Sequence, residues 1–284
     1  MSGSTATAAE TDRSKDLDFT IELAQRAGAL LTERFEKVER IDFKSAKDVV
    51  TEVDHLSEAL IIEAIRAAHP GDGIVAEESG EHPAAAGHAP TAGVGRAWVI
   101  DPLDGTINYA NGIPFFCVSI ALIEAGRPVV GVVHDPSRGE TFAASEGGPA
   151  TLDGRPIGAS VKANLSDFVV SMALSGQALI TRARAVRTAI RVPRSMGSAA
   201  LALAYVGNGR FDAFVQQGGL SSWDIAAAGL IAARGGAVVT DLAGGPWFDV
   251  SRQPRSIGVL AAPAGHHGEL LGLISRKPRA QGPG

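Results

Sequence analysis

Two aspartates stand three residues apart in the stretch Trp98–Tyr109, WVIDPLDGTINY. The apolar run stops on Asp101, Pro102 fixes the direction of the chain behind it, and Asp104, Gly105 and Thr106 follow. Carboxylates that close repel each other, and one is driven toward its neutral form unless a cation lies between them. Gly105 allows a ligand to approach the backbone. Thr106 offers a hydroxyl and is expected to cap a helical turn whose free N–H groups suit an anion. A divalent cation bridging both acids to a phosphate would use all of these features. Alone, the stretch is also compatible with an Asp-rich turn whose side chains bond their own backbone.

Three further stretches carry acids in similar settings. DVVTEVDHLSE (48–58) puts Asp54 at the head of a helix, where a plain helix cap would also place an acid. VAEESG (75–80) ends a strand on Glu77 and Glu78, and Glu77 directly follows apolar residues. SSWDIAAAGLIAARGGAVVTD (221–241) opens an apolar helix with Asp224. Acids at strand ends and helix starts, each fringed by apolar sequence, predict one hard-oxygen metal site, for which Mg²⁺ is the suitable ion. The seven histidines show no zinc spacing, and His266-His267 reads as a solvated helix start. Cys117, the one cysteine, lies in FFCVSIAL and reads as a buried strand thiol, so no internal disulfide can form.

The elements that must hold these acids follow from periodicity. Ala24, Ala27, Leu31 and Phe35 recur at helical spacing, predicting a helix over 17–35. A second helix is expected over 55–69, stopped by Pro70-Gly71. Strands are expected at 73–78, 97–101, 115–123, 128–134, 140–144, 167–174, 211–216, 237–241 and 257–262, with helices near 177–190, 198–207 and 224–233. Residues 79–96 read as a loose surface loop or flap. Strands dominate first and then alternate with helices, which predicts mixed sheets covered by helices in two halves. The expected division is a disordered tail (1–15), an N-terminal α+β half (16–160) with most metal ligands, and a C-terminal α/β half (161–284) with Asp224 and the substrate-side residues.

Composition narrows the function. The 284 residues are 45% hydrophobic and carry a net charge of −5. With no basic stripe, nucleic acid is not an expected partner. No run is long enough to span a bilayer, and the small polar residues at the start lack the apolar stretch of a signal peptide, so a cytoplasmic protein is expected.

Four ordered blocks, KSAKDVVTEVD, VAEES, WVIDPLDGTINYANGIPFFCVSIAL and WDIAAAGLIAARGGAVVTD, resemble the inositol monophosphatase family of metal-dependent, lithium-sensitive phosphatases. The resemblance runs from about Leu17 to Ala262. It implies the layered αβαβα sandwich of the inositol monophosphatase and fructose-1,6-bisphosphatase type, usually a homodimer, with the site between two halves. It implies a first Mg²⁺ on Glu77, Asp101 and the Leu103 carbonyl, a second on Asp101, Asp104 and Asp224, and a weaker third near Glu77. Asp54 and Thr106 would orient and deprotonate the attacking water, and the N–H groups of Gly105 and Thr106 would hold the phosphate. The implied reaction is two-metal-assisted hydrolysis of a small phosphomonoester.

The substrate side is less closely matched. RSMGSAALALAYVGNGRFDAFVQQGG (194–219) resembles the family's substrate segment, where Gly197, Ser198 and Ala199 open a helix able to face the leaving group. Inositol-handling members carry Glu seven residues before the Asp of the W-D block, and here that position is Gln217. Inositol 1-phosphate leads, with histidinol phosphate, fructose 1,6-bisphosphate, 3′-phosphoadenosine 5′-phosphate and NADP as alternatives. A regulatory protein-binding role is a reading from another class, and a calcium-binding domain ranks last because no EF-hand loop is present.

Overall fold

The computed structural model describes residues 8–38, 40–45, 48–84, 95–174 and 180–275. Two helices come first, α1 (Ala8–Arg34) and α2 (Glu52–Ala68), with a hairpin of β1 (Ile41–Ser45) and β2 (Asp48–Thr51) between them. Next come β3 (Gly73–Ala76), β4 (Gly80–His82), β5 (Arg96–Asp104), the short helix α3 (Thr106–Ala110), β6 (Cys117–Glu124), β7 (Arg127–Asp135), β8 (Glu140–Ser145), β9 (Thr151–Leu152) and β10 (Arg155–Pro156). The remainder is β11 (Val169–Ala173), α4 (Ile180–Ala189), β12 (Val192–Arg194), α5 (Ala199–Gly207), β13 (Ala213–Leu220), α6 (Ser222–Arg234), β14 (Ala237–Asp241), β15 (Ile257–Pro263) and α7 (Ala264–Ser275).

The strands from β3 to β10 build an eight-stranded sheet in the order β10-β9-β8-β7-β6-β5-β3-β4, in which only β3 and β5 run parallel. The rest form a five-stranded sheet, β12-β11-β13-β15-β14. Helices α1 and α2 cover one face of the large sheet, α5 and α6 lie between the sheets, and α4 and α7 pair against the outer face of the small one. This is a five-layer αβαβα stack. Each interlayer space holds an apolar cluster. Trp98, Tyr109 and Phe116, all 1% exposed or less, anchor the outer space of the large sheet. Burying each such side chain contributes about 2–3 kcal/mol.

The middle layer is thin because its helices present small residues. Ala226, Ala227 and Ala228 of α6 are fully buried. A Cβ on Gly131 of β7 would lie 2.8 Å from the Ala227 backbone, so only glycine lets strand and helix meet there. Tight contact between α6 and the large sheet carries Asp224, in the first turn of α6, toward the end of β5.

Some expectations need correction. The first helix starts at Ala8, not Leu17, so residues 8–15, expected in a disordered tail, are helical; Arg13 within them pairs with Glu124 and Glu146 at 3.0 and 3.1 Å. The expected flap at 79–96 contains strand β4 instead of loose loop over 80–82, while 85–94 lie outside the described residues. The hairpin β1–β2 went unpredicted, its strands being too short for periodicity to reveal, while α3 is the helical turn expected after Asp104. His267 lies in the first turn of α7, which starts at Ala264, and is buried rather than solvated, its Nε2 3.0 Å from the Thr240 hydroxyl. Among the described residues no helix is long and apolar enough to cross a membrane.

Candidate active site

Asp101 and Asp104 share one face of β5 because of an irregularity in that strand. Residues three apart on a regular strand point to opposite faces. Here the pairing with β6 runs Asp101 to Ser119 and Asp104 to Cys117, three steps against two, so one extra residue is inserted. Pro102, which has no N–H for the ladder, sits in that bulge. β5 does not close at Asp101, where the apolar run stops and the strand is expected to end, but continues through the bulge to Asp104.

Asp224 completes the group. One carboxylate oxygen from each of Asp101, Asp104 and Asp224 lies within 4.8 Å of the other two. Asp101 and Asp104 are buried, and Asp224 is half-buried. Each is held by backbone donors. Leu103 N–H donates to Asp101 Oδ1 at 3.1 Å. Ser198 Oγ and the Ala200 N–H donate to Asp104 Oδ2 at 2.5 and 2.6 Å. The Ser221 N–H donates to Asp224 Oδ2 at 2.6 Å. Asp104 therefore faces the N-terminus of α5, where the helix dipole favours a negative charge. Glu77 follows β3, its N–H bonded to the Ile100 carbonyl at 3.2 Å, and lines the same cavity.

Among the described residues that line the cavity around the cluster, Arg255 is the one cation. Burial, then the charges of Glu77, Asp104 and Asp224, hold the Asp101 carboxyl well above its ordinary range. Burial and the charges of Asp104 and Glu77 do the same to Asp224, against the Ser221 N–H and Arg255. Burial also raises Asp104, although Ser198 and the α5 N–H groups pull it down. Hard carboxylate oxygens crowded in this way fit a divalent cation, with the Leu103 carbonyl lining the same space.

Asp54 and Thr106 form a second, linked pair. Asp54 is the third residue of α2, and its Oδ2 accepts from the Thr51 N–H and hydroxyl at 2.8 and 2.6 Å in a capping box. Its Oδ1 lies 2.9 Å from Thr106 Oγ1, which is also 3.0 Å from the Leu103 carbonyl. Asp54 and Asp224 both sit at the third position of a capping box, and each makes a further contact: Asp224 joins the acidic cluster and Asp54 bonds Thr106, which lines the first cavity. Thr106 does not cap α3; Gly105 takes that position at φ 97°, and the Thr106 side chain turns to Asp54 and Leu103 instead. A Cβ on Gly105 would meet Phe115 O and Ser198 Cβ at 3.1 Å, so the turn excludes larger residues.

Two cavities meet here. The first, ≈ 230 Å³, is lined by Glu77, Asp101, Leu103, Asp104, Gly105, Thr106, Asp224 and Arg255, among others. The second, ≈ 290 Å³, shares Asp104, Gly197, Gly219 and Asp224 with it and extends to Ser171, Ser195, Ser198, Ala199, Phe214 and Gln216. Gly197, Ser198 and Ala199 lie at the start of α5 and line the second cavity. Gln217 does not: it is exposed and lines neither cavity, whereas its neighbour Gln216 lines the second. Strand alternation is the signal that could have found Gln216, since it shares a face with inward-pointing Phe214. Arg255, also missed, comes from a loop rich in Ser, Pro and Arg with no periodicity to read.

The model of the inositol monophosphatase family matches residues 12–279. The chain belongs to this family. It is 38% identical over 237 residues to a Thermotoga maritima protein named fructose-1,6-bisphosphatase/inositol-1-monophosphatase, covering 80% of this chain and 85% of that one. It is 37% identical over 239 residues to the Salmonella typhimurium Nus factor SuhB, covering 81% and 86%. The crystal structure of the extragenic suppressor protein suhB from Bartonella henselae matches with a TM-score of 0.83 at 30% identity, over 92% of this chain and 99% of that chain. The layered fold is thus that of solved family members, and the family supports a phosphatase.

Proposed function

We propose that this chain hydrolyses a small phosphomonoester with Mg²⁺ as cofactor, inositol 1-phosphate being the leading substrate. The observation that carries this reading is the convergence of Asp101, Asp104 and Asp224 beside the linked pair Asp54–Thr106. Glu77, Asp101 and the Leu103 carbonyl would hold one ion, Asp101, Asp104 and Asp224 a second, and Glu77 a weaker third. When bound, the ions supply charge neutralisation at the phosphoryl oxygens and a lowered pKa for water.

The chain's own groups do the rest. A hydroxyl has one proton to donate. Donation by Thr106 to Asp54 Oδ1 leaves the Thr106 oxygen lone pairs for an attacking water. As the water attacks phosphorus, its proton passes to Thr106 Oγ1 and the Thr106 proton passes to Asp54 Oδ1. The second Asp54 oxygen, fixed by two Thr51 donors, keeps the carboxylate aimed. The N–H groups of Gly105 and Thr106, at the start of α3, would bind phosphate oxygens. As the ester P–O bond breaks, the leaving oxygen would take a proton from solvent water, and the alcohol, departing toward the second cavity, would meet Ser171, Ser195 and Gln216, uncharged groups suited to hydroxyls.

Family membership supports the related proposals of a lithium-sensitive homodimer in the cytoplasm. Histidinol phosphate, fructose 1,6-bisphosphate, 3′-phosphoadenosine 5′-phosphate and NADP are the other candidate substrates. Relatives named Nus factor SuhB favour a second reading, a regulatory protein-binding role. The deciding experiment is phosphate release from inositol 1-phosphate, histidinol phosphate, fructose 1,6-bisphosphate and 3′-phosphoadenosine 5′-phosphate, with Mg²⁺ and with or without Li⁺. Mg²⁺-dependent release led by inositol 1-phosphate is expected. No release from any of them by folded, Mg²⁺-binding protein would shift the account to the regulatory role.

A further inference from the structure

Arg255 lines the first cavity and is the one cation among its described lining residues. Its backbone is bolted to the site. The Arg255 N–H donates to Ser221 Oγ at 3.0 Å, and Ser221 is the N-cap of the helix that carries Asp224. The Arg255 carbonyl accepts from the Gly219 N–H at 2.8 Å, and Gly219 lines both cavities. The residue is also held at φ 63°, a left-handed conformation that costs a side-chain-bearing residue energy and that glycine adopts freely. An exposed arginine whose backbone is held on both sides of its α-carbon thus lines the first cavity beside Gly219, a wall that the two cavities share.

The described lining of the second cavity holds no cation, so a leaving group's own negative charge would find no partner there. We propose that Arg255 is a specificity-determining residue that binds a second anionic group on the leaving-group side of the substrate, so that the site prefers a phosphomonoester carrying another phosphate or carboxylate over its singly charged counterpart. This inference rests on the phosphomonoesterase reading above. A guanidinium fork suits such a group because it can donate two parallel hydrogen bonds to phosphate or carboxylate.

The test compares fructose 1,6-bisphosphate with fructose 1-phosphate, which differ in the second phosphate alone, with inositol 1-phosphate as reference and Mg²⁺ saturating. The wild-type protein is expected to show a KM about tenfold lower for the bisphosphate, the scale of a charge-assisted hydrogen bond. Arg255→Gln is expected to erase that gap by raising the bisphosphate KM, with kcat for the bisphosphate retained. Arg255→Lys should restore part of it. Arg255→Gly removes the guanidinium where the backbone suits glycine, so it should lose the preference while melting no lower than wild type. Equal KM values for the two fructose phosphates in wild type, or an equal effect of Arg255→Gln on both, would overturn the inference and leave the phosphatase reading standing. No release from any of the three substrates would overturn both.

Discussion

The two ends of β5 hold two clusters of carboxylates, and they are neutralised in opposite ways. At the start of the strand, Arg96 donates to Asp16 at 3.0 Å through both terminal nitrogens, to Glu124 at 2.9 Å and to Asp72 at 3.2 Å. Trp98 Nε1 adds a bond to Asp72 at 2.9 Å. Burial alone would lower the Arg96 pKa, but the bonds to Asp16 and the charge of Asp72 more than offset it and hold the group above its ordinary value. At the other end, eight residues on, Asp101 and Asp104 meet Asp224 and Glu77, Arg255 is the one cation among the described residues lining their cavity, and the acids are pushed up. The contrast separates structure from function. Where acids hold the fold, the chain supplies its own cations; where the described residues leave them crowded, the arrangement fits a bound cation.

Substitutions at the two ends should therefore behave as opposites. The largest effect is expected for Asp104→Asn. Removing one ligand charge should lower phosphate release by at least about a hundredfold, several kcal/mol of transition-state stabilisation. Unchanged turnover would show that the cluster is not the catalytic centre. At the other end, Arg96→Gln leaves Asp16 and Asp72, both buried, without their cation, and is expected to cost about 2–4 kcal/mol of stability. The kcat of the folded variant should be retained. A variant as stable as wild type by urea denaturation would erase the distinction drawn here.

A pH series sharpens the comparison. An acid whose folded pKa lies above its unfolded value, here 3.8 for Asp101, binds its proton more tightly in the folded state. Its charge then destabilises the fold, not at all below the unfolded pKa and increasingly as pH rises toward the folded one. In EDTA, Asp101→Asn should consequently melt above wild type, and the gap should widen as pH rises from 3.8. Saturating Mg²⁺ should close or reverse the gap. A pH-independent difference would contradict the repulsion. The smallest effect is expected for Arg13→Ala, whose pairs with Glu124 and Glu146 are partly exposed. It should cost less than about 1 kcal/mol in denaturant titrations.

Much of the site was legible in the sequence, for identifiable reasons. Asp101, Asp104 and Glu77 stand where apolar runs stop, and Asp54 and Asp224 begin helices, so local pattern marks all five. What local pattern could not show is how they come together. The bulge at Pro102 that turns Asp101 and Asp104 to one face is a property of the pairing with β6, not of either strand alone. The Asp54–Thr106 bond joins residues 52 positions apart. Gln217 was singled out by its count of seven residues before Asp224, whereas the alternation of β13 from Phe214 puts its neighbour Gln216 at the second cavity. The α1 start was misplaced because its first two turns are polar, and Arg13, which ties them down, finds its partners more than a hundred residues away.

The most direct test of the central claim is calorimetric titration of Mg²⁺ into the metal-free wild-type protein and into Asp101→Asn and Asp224→Asn. Saturable binding by wild type is expected, strengthening as pH rises and protons leave the cluster, and weakened at least about tenfold in both variants. Binding of equal strength in all three proteins, or none in wild type, would contradict the account.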